Sequence, residues 1–255
     1  MSLDIHSLSV RYGQAEVVRA VSVADLAPGS VTALVGPNAA GKSSLMRAVA
    51  GVTAAAAGRI TLHGEALHGL SRADRAERVR YVPQTYASQA RLPVVDAALV
   101  ARMAGRRARP RPDDLAAAEA ALARVGIGHL AERELHTLSG GQQQLAALAM
   151  GLARPAPVLL LDEPTSALDL RHQLHVLAVA REVARRDRRI VVVALHDLNL
   201  AARHADRVAL MADGRIVGDG PPLDVLSSPL CGAAYGVRID VDVTGRGTPV
   251  IEASL

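Results

Sequence analysis

Gly36-Pro37-Asn38-Ala39-Ala40-Gly41-Lys42-Ser43-Ser44 sets two glycines five positions apart and follows the second with a lysine and two hydroxyls. In this G-x-x-x-x-G-K-[ST] spacing, glycine lets successive backbone N–H groups turn inward around phosphate oxygens. A helix opening at that point adds its positive N-terminal end. Lys42 is the only lysine in 255 residues, whereas the other members of the 29 basic residues are all arginine. The exception falls where a compact ammonium on a slim stem must reach between terminal phosphates, which a planar guanidinium does poorly. The nine residues are candidate ATP-binding residues, and Ser43 offers its hydroxyl to Mg²⁺. If Ala39 must take φ > 0, its side chain strains the loop.

A phosphate-bound Mg²⁺ calls for a second protein contact, a carboxylate at the end of a buried strand. Val158-Leu-Leu-Leu-Asp162 supplies one, and Glu163 follows, placed to take a proton from an attacking water. Alone, an apolar run ending in Asp-Glu reads as well as a strand reaching a polar loop. Paired with the phosphate loop it reads as a hydrolytic pair.

The elements that must hold these groups are legible in the periodicity. Leu3–Val10 and Val17–Leu26 alternate as strands, Val31–Val35 is a continuous apolar run, and the residues after the glycine loop form a helix ended by Gly51. From about Ser71 to Gly151 the pattern turns helical, with helices over Pro93–Met103 and Asp113–Val125 around an Arg- and Pro-rich break. Buried strands return at Val158–Asp162 and Ile190–Leu195, separated by a long helix over Ser166–Arg186. The last stretch, Pro222–Leu255, predicts a short helix, a turn at Thr244–Gly247 and two strand-like pieces. A parallel-sheet core with an inserted helical lobe and a small C-terminal appendage follows.

Composition narrows the functional classes. Half the residues are apolar, enough for a full core. Cys231 is the single cysteine and reads as a small buried hydrophobe in a reduced, cytosolic setting. The N-terminus alternates and lacks a secretory apolar block, and no apolar run approaches the roughly 20 residues that cross a bilayer. The formal charge of +4 concentrates only in Arg102–Arg111, read as a solvated loop. With no Phe or Trp and four Tyr, the chain has few stacking platforms for single-stranded nucleic acid, so no direct nucleic-acid contact is expected.

Leu138-Ser139-Gly140-Gly141-Gln142, just upstream of the Asp162-Glu163 strand, resembles the signature of ATP-binding cassette (ABC) ATPases. Other pieces fall in that family's order. Tyr12 resembles its adenine-stacking aromatic, Gln84 in YVPQ its Q-loop glutamine, Ser166-Ala-Leu-Asp169 its D-loop, and His196 its switch histidine. Each also has a plain reading: Tyr12 a strand residue, Gln84 a turn residue, Asp169 a first-turn helix carboxylate, His196 the neighbour of a helix cap.

The resemblance implies a P-loop NTPase α/β fold with a mixed sheet, an N-terminal antiparallel β subdomain, a helical subdomain at about 85–153 and a C-terminal extension at about 222–255, all one ABC ATPase domain over 1–255. It implies that two copies meet head to tail, with Ser139, Gly140, Gly141, Gln142 and Asp169 of one capping ATP on the other's phosphate loop. Gln84 would join Ser43 and Asp162 at Mg²⁺, and His196 would hold the γ-phosphate, the water and Glu163 in line. Ala39 stands where the family often has Gly, Ser44 where it often has Thr, and Leu145 where Arg is common. The tail, with SALDLRHQL and LHDLNLAARHADRV, resembles importer ATPases serving iron chelates: haem, siderophore and cobalamin systems, with haem favoured. Such a subunit works peripherally on the cytoplasmic face of the inner membrane, with polytopic permease partners and, indirectly, a periplasmic binding protein. The alternative is a soluble ABC ATPase acting on nucleic acid or ribosomes.

Overall fold

The structure, a computed structural model, describes residues 2–84, 90–104, 109–166, 168–245 and 247–255. The chain opens with β1 (Leu3–Tyr12), β2 (Ala15–Leu26) and β3 (Val31–Val35), then α1 (Lys42–Val49), β4 (Ala57–Leu62), β5 (Glu65–Ala66), α2 (Arg72–Arg78) and β6 (Val79–Val82). A helical stretch follows: α3 (Val94–Met103), α4 (Pro112–Arg124), two 3₁₀ turns and α5 (Gly140–Leu152). β7 (Val158–Asp162), α6 (Leu170–Asp187), β8 (Ile190–Ala194), α7 (Leu198–His204), β9 (Arg207–Ala212) and β10 (Arg215–Gly220) return to the core. The chain ends with α8 (Pro222–Leu226), α9 (Pro229–Tyr235), β11 (Arg238–Val243) and β12 (Pro249–Ser254).

The central sheet has the order β10-β9-β3-β8-β7-β6, parallel except for the antiparallel edge strand β10, so it is mixed as expected. β3, β7 and β8 are buried at every position because both faces are covered. The antiparallel sheet β2-β1-β4-β5 and α1 share one apolar core with one face, including Leu34, Leu160 and Val192. The other face, including Ala33, Leu159, Leu161 and Val193, packs on the helices and the C-terminal elements.

Several expectations need correction. The long helix begins at Leu170, not Ser166, because Asp169 caps it by accepting from the His172 N–H at 2.8 Å. β6 lies inside the stretch read as helical from Ser71 and joins the parallel sheet beside β7. The appendage holds two short helices rather than one, the second opening at Pro229 after the Ser228 cap. The two strand-like pieces do pair, closed by a turn in which the Gly247 N–H donates to Thr244. Arg102 is no solvated loop residue: it sits in α3 and pairs with buried Asp114 at 3.2 Å. Residues 105–108 of that basic segment, Tyr86, Ala167 of the D-loop and Arg246 of the last turn lie outside the described residues. Cys231 is buried and unpaired, and burial pushes its thiol up to about 11. Among the described residues no helix is long and apolar enough to cross a membrane.

Candidate functional site

The glycine loop runs from the C-terminal end of β3 to the first residue of α1. Gly36 cannot be replaced without rearrangement, since an added Cβ would meet the Met211 carbonyl oxygen at 2.0 Å. Gly41 precedes the helix at φ +104°. Ala39 does take φ +62°, the left-handed region that an L side chain enters at a cost of roughly 1–2 kcal/mol. Pro37, Asn38, Ala39 and Ser44 remain at least partly exposed, whereas Ala40 is buried and accepts from the Gly214 N–H in the β9–β10 turn. The loop, with Glu163, lines a cleft of about 280 Å³.

Lys42 folds back under the loop and is only 4% exposed. Its Nζ donates to the carbonyls of Gly36 at 2.8 Å and Pro37 at 3.0 Å. Burial pushes the ammonium below the ordinary lysine range, an effect that nearby Glu163 and Asp162 oppose. α1 is held from behind by buried Arg75, whose guanidinium donates to the carbonyls of Val49 and Ala48 at the helix end.

Ser43 and Asp162 meet as the sequence predicted: Ser43 Oγ donates to Asp162 Oδ1 at 2.9 Å. Two hard oxygens at this separation fit Mg²⁺, which takes few protein ligands and keeps the rest of its shell as water and phosphate oxygen. The other carboxylate oxygen, Oδ2, accepts from the Tyr81 hydroxyl at 2.8 Å, and Arg47 Nε donates to that same hydroxyl at 3.2 Å. Burial pushes the Tyr81 phenol up to about 12. Sequence reasoning passed over both residues, although Tyr81 opens the YVPQ run used to place Gln84.

Glu163 is 7% exposed and sits at φ +48° in the turn after β7. Gln84 Nε2 donates to its Oε2 at 2.5 Å, and His196 Nε2 lies 2.5 Å from its Oε1. With the carboxylate accepting on that side, the Gln84 amide must turn its NH₂ towards Glu163 and its oxygen away. So Gln84 is bonded to Glu163 rather than to Ser43 or Asp162. His196 precedes Asp197, which caps α7 by accepting from the Leu200 N–H at 3.0 Å. Tyr12 ends β1 at 45% exposure, and the Ser44 hydroxyl beside it holds its phenol below the ordinary tyrosine range.

The second group of predicted residues lies elsewhere. Ser139 caps α5, its Oγ accepting from the Gln142 N–H at 3.3 Å while the Gln142 side chain accepts from the Ser139 N–H at 3.1 Å. Ser139, Gly141, Gln142 and Asp169 line one recess of about 390 Å³. None of them lines the loop cleft. An added Cβ at Gly140 would meet nothing within 4 Å, and its φ is not positive. Within its own chain, nothing requires glycine there.

The chain resembles known proteins in both sequence and fold. The family model "ABC transporter" matches residues 20–166. A cobalamin import ATP-binding protein of Halobacterium salinarum is 38% identical over 241 residues, covering 94% of this chain and 60% of its own length. A hemin import ATP-binding protein of Nocardia farcinica is 45% identical over 219 residues, 85% of this chain and 75% of its own. The chain thus spans about 60% of the length of the cobalamin-import relative. Among solved structures, a chain from an inward-facing transporter described as of the metal-chelate ABC type superposes with a TM-score of 0.85 at 26% identity, covering 100% of this chain and 98% of that one.

Proposed function

Because the chain belongs to the ABC transporter family, we propose that it binds Mg²⁺-ATP on the Gly36–Ser44 loop and hydrolyses it to energise a membrane importer of haem or another iron chelate. The observation that carries the hydrolytic part is the placement of Glu163, buried between Gln84 and His196 and facing the cleft that holds Lys42 and Ser43. Lys42 leaves its two carbonyl partners for phosphate oxygens when nucleotide enters. Glu163 takes the proton of the attacking water on a carboxylate oxygen, and His196 keeps that carboxylate in place. Tyr12 stacks on the base. Ser43 and Asp162 hold Mg²⁺, joined by the Gln84 side-chain oxygen; the ion, when bound, offsets negative charge on the phosphates.

The site is completed by a second copy of the chain, whose Ser139, Gly140, Gly141, Gln142 and Asp169 face the γ-phosphate. Gly140 supports this reading, since its missing side chain serves no purpose inside the chain and leaves room for another molecule to approach. Closing two copies over ATP and opening them after hydrolysis moves the helical subdomain, about 85–153, which seats polytopic permease subunits. The extension at about 222–255 completes the single cassette, bound peripherally at the cytoplasmic face of the inner membrane, with a periplasmic binding protein delivering cargo to the permease. Haem is favoured over siderophore and cobalamin by the 45% identity to the hemin-import relative.

The test is expression with tagged chain and recovery from detergent-solubilised membranes. Co-purification of a polytopic permease, with Mg²⁺-dependent ATP hydrolysis and uptake of haem by vesicles holding the complex, is expected. Recovery of nucleic acid or ribosomes in place of a permease would move the chain to the soluble class. Uptake of cobalamin but not haem would keep the mechanism and change the cargo.

A further inference from the structure

We infer that Tyr81 is a positioning residue for the metal-binding carboxylate, fixing Asp162 so that Oδ1 faces Ser43. The inference rests on the reading of Ser43 and Asp162 as the Mg²⁺ site. Asp162 is 1% exposed at the end of β7, where each oxygen of an ionised carboxylate needs donors from the protein itself. Oδ1 takes the Ser43 hydroxyl and Oδ2 takes the Tyr81 hydroxyl, at 2.9 and 2.8 Å. Turning the carboxylate about its Cβ–Cγ bond would break both bonds.

The direction of the Tyr81 proton is set by Arg47. A guanidinium has donors only, so in the 3.2 Å contact Arg47 Nε gives and the phenol oxygen receives. The single phenol proton is then committed to Asp162. The three side chains come from three different elements: Arg47 from α1, Tyr81 from β6 and Asp162 from β7. β6 and β7 are hydrogen-bonded neighbours, with Tyr81 opposite Leu160, so the ring reaches the strand end from the adjacent strand. The helix that carries Lys42 and Ser43 is thereby tied through Arg47 and Tyr81 to the carboxylate it must share a cation with.

The experiment compares the full-length chain with Tyr81→Phe, which keeps the ring and removes only the hydroxyl. Mn²⁺ replaces Mg²⁺ as the probe, and its binding to the ADP-saturated chain is read from the free-ion EPR signal. Tyr81→Phe is expected to weaken Mn²⁺ binding ~10-fold, the scale seen when a partner of a metal ligand is removed. ADP affinity in EDTA should stay within about twofold, which a general loss of packing would not allow. Arg47→Gln, which leaves the phenol in place but frees its proton to rotate, should give a smaller loss in the same direction and serves if Tyr81→Phe fails to fold. Mn²⁺ affinity unchanged in either folded variant overturns the role of Tyr81. Asp162→Asn separates the two readings: if it binds Mn²⁺ as the parent does, the metal assignment itself falls.

Discussion

The proposed nucleotide site has two halves, and they are built in opposite ways. Around the phosphate loop, Lys42, Asp162 and Glu163 are 4%, 1% and 7% exposed, and each is bonded to its own chain. At the signature, Ser139 and Gly140 are exposed, and the bonds made there are a helix cap of the kind any α-helix carries. A buried polar group must be satisfied inside the chain, so the first half is organised before any ligand arrives. The second half stays solvated and is finished only by what approaches it. The difference separates a half satisfied within one chain from a half that, under the proposed function, a second copy would complete.

The sharpest way to break this comparison is at Glu163. Glu163→Gln keeps the size and a hydrogen-bonding oxygen, so ATP binding should persist while hydrolysis falls at least ~100-fold; near-normal turnover would remove Glu163 from the chemistry. Next is Lys42→Arg, which asks a forked guanidinium to occupy a buried slot shaped by two carbonyls. Nucleotide affinity measured by calorimetry should drop by ~10-fold or more, the scale of a lost charged hydrogen bond. Gly140→Leu then tests the other half. Space is open around this residue, so the unfolding midpoint should hold or rise, while ATP turnover and ATP-dependent dimerisation fall on the order of 10-fold. Equal loss of fold and activity would place Gly140 with the internally built half. The smallest effect is expected from Ala39→Gly, which relieves a left-handed alanine and should raise stability by about 1 kcal/mol in urea titration.

Much of the first half was legible because its signals are local. The loop spacing, the lone lysine and an apolar run ending in Asp-Glu sit in contiguous stretches, and the structure brings them together. What could not be read is what crosses the fold. Tyr81 and Arg47 lie 34 positions apart and meet only because β6 slots beside β7. β6 itself was hidden, being four residues long and set directly after a helix, too short to show a period. Arg75 reads as one more surface arginine until its guanidinium is seen capping α1. At Asp169 the plain reading holds, since it caps α6, and the same residue also lines the recess shared with the signature. The extension beyond Pro222 was expected as an appendage, yet its hairpin grips α7 through Asn199, which exchanges two hydrogen bonds with Ile251 only three residues past His196.

The poverty in aromatic residues has an optical consequence. With no tryptophan, the ultraviolet emission of this protein comes from four tyrosines. Tyr12 stands beside Ser44, Tyr81 gives its proton to Asp162, and the buried Tyr235 hydroxyl lies beside the backbone of Gly36. A tyrosine whose proton is shared with a carboxylate emits weakly, and a cation on the Oδ1 side of Asp162 makes the carboxylate a poorer proton acceptor while the Tyr81 bond to Oδ2 stays in place, so cation binding should brighten Tyr81. If Asp162 holds the metal as proposed, the unlabelled chain carries its own reporter of metal arrival, and Tyr81→Phe silences that channel.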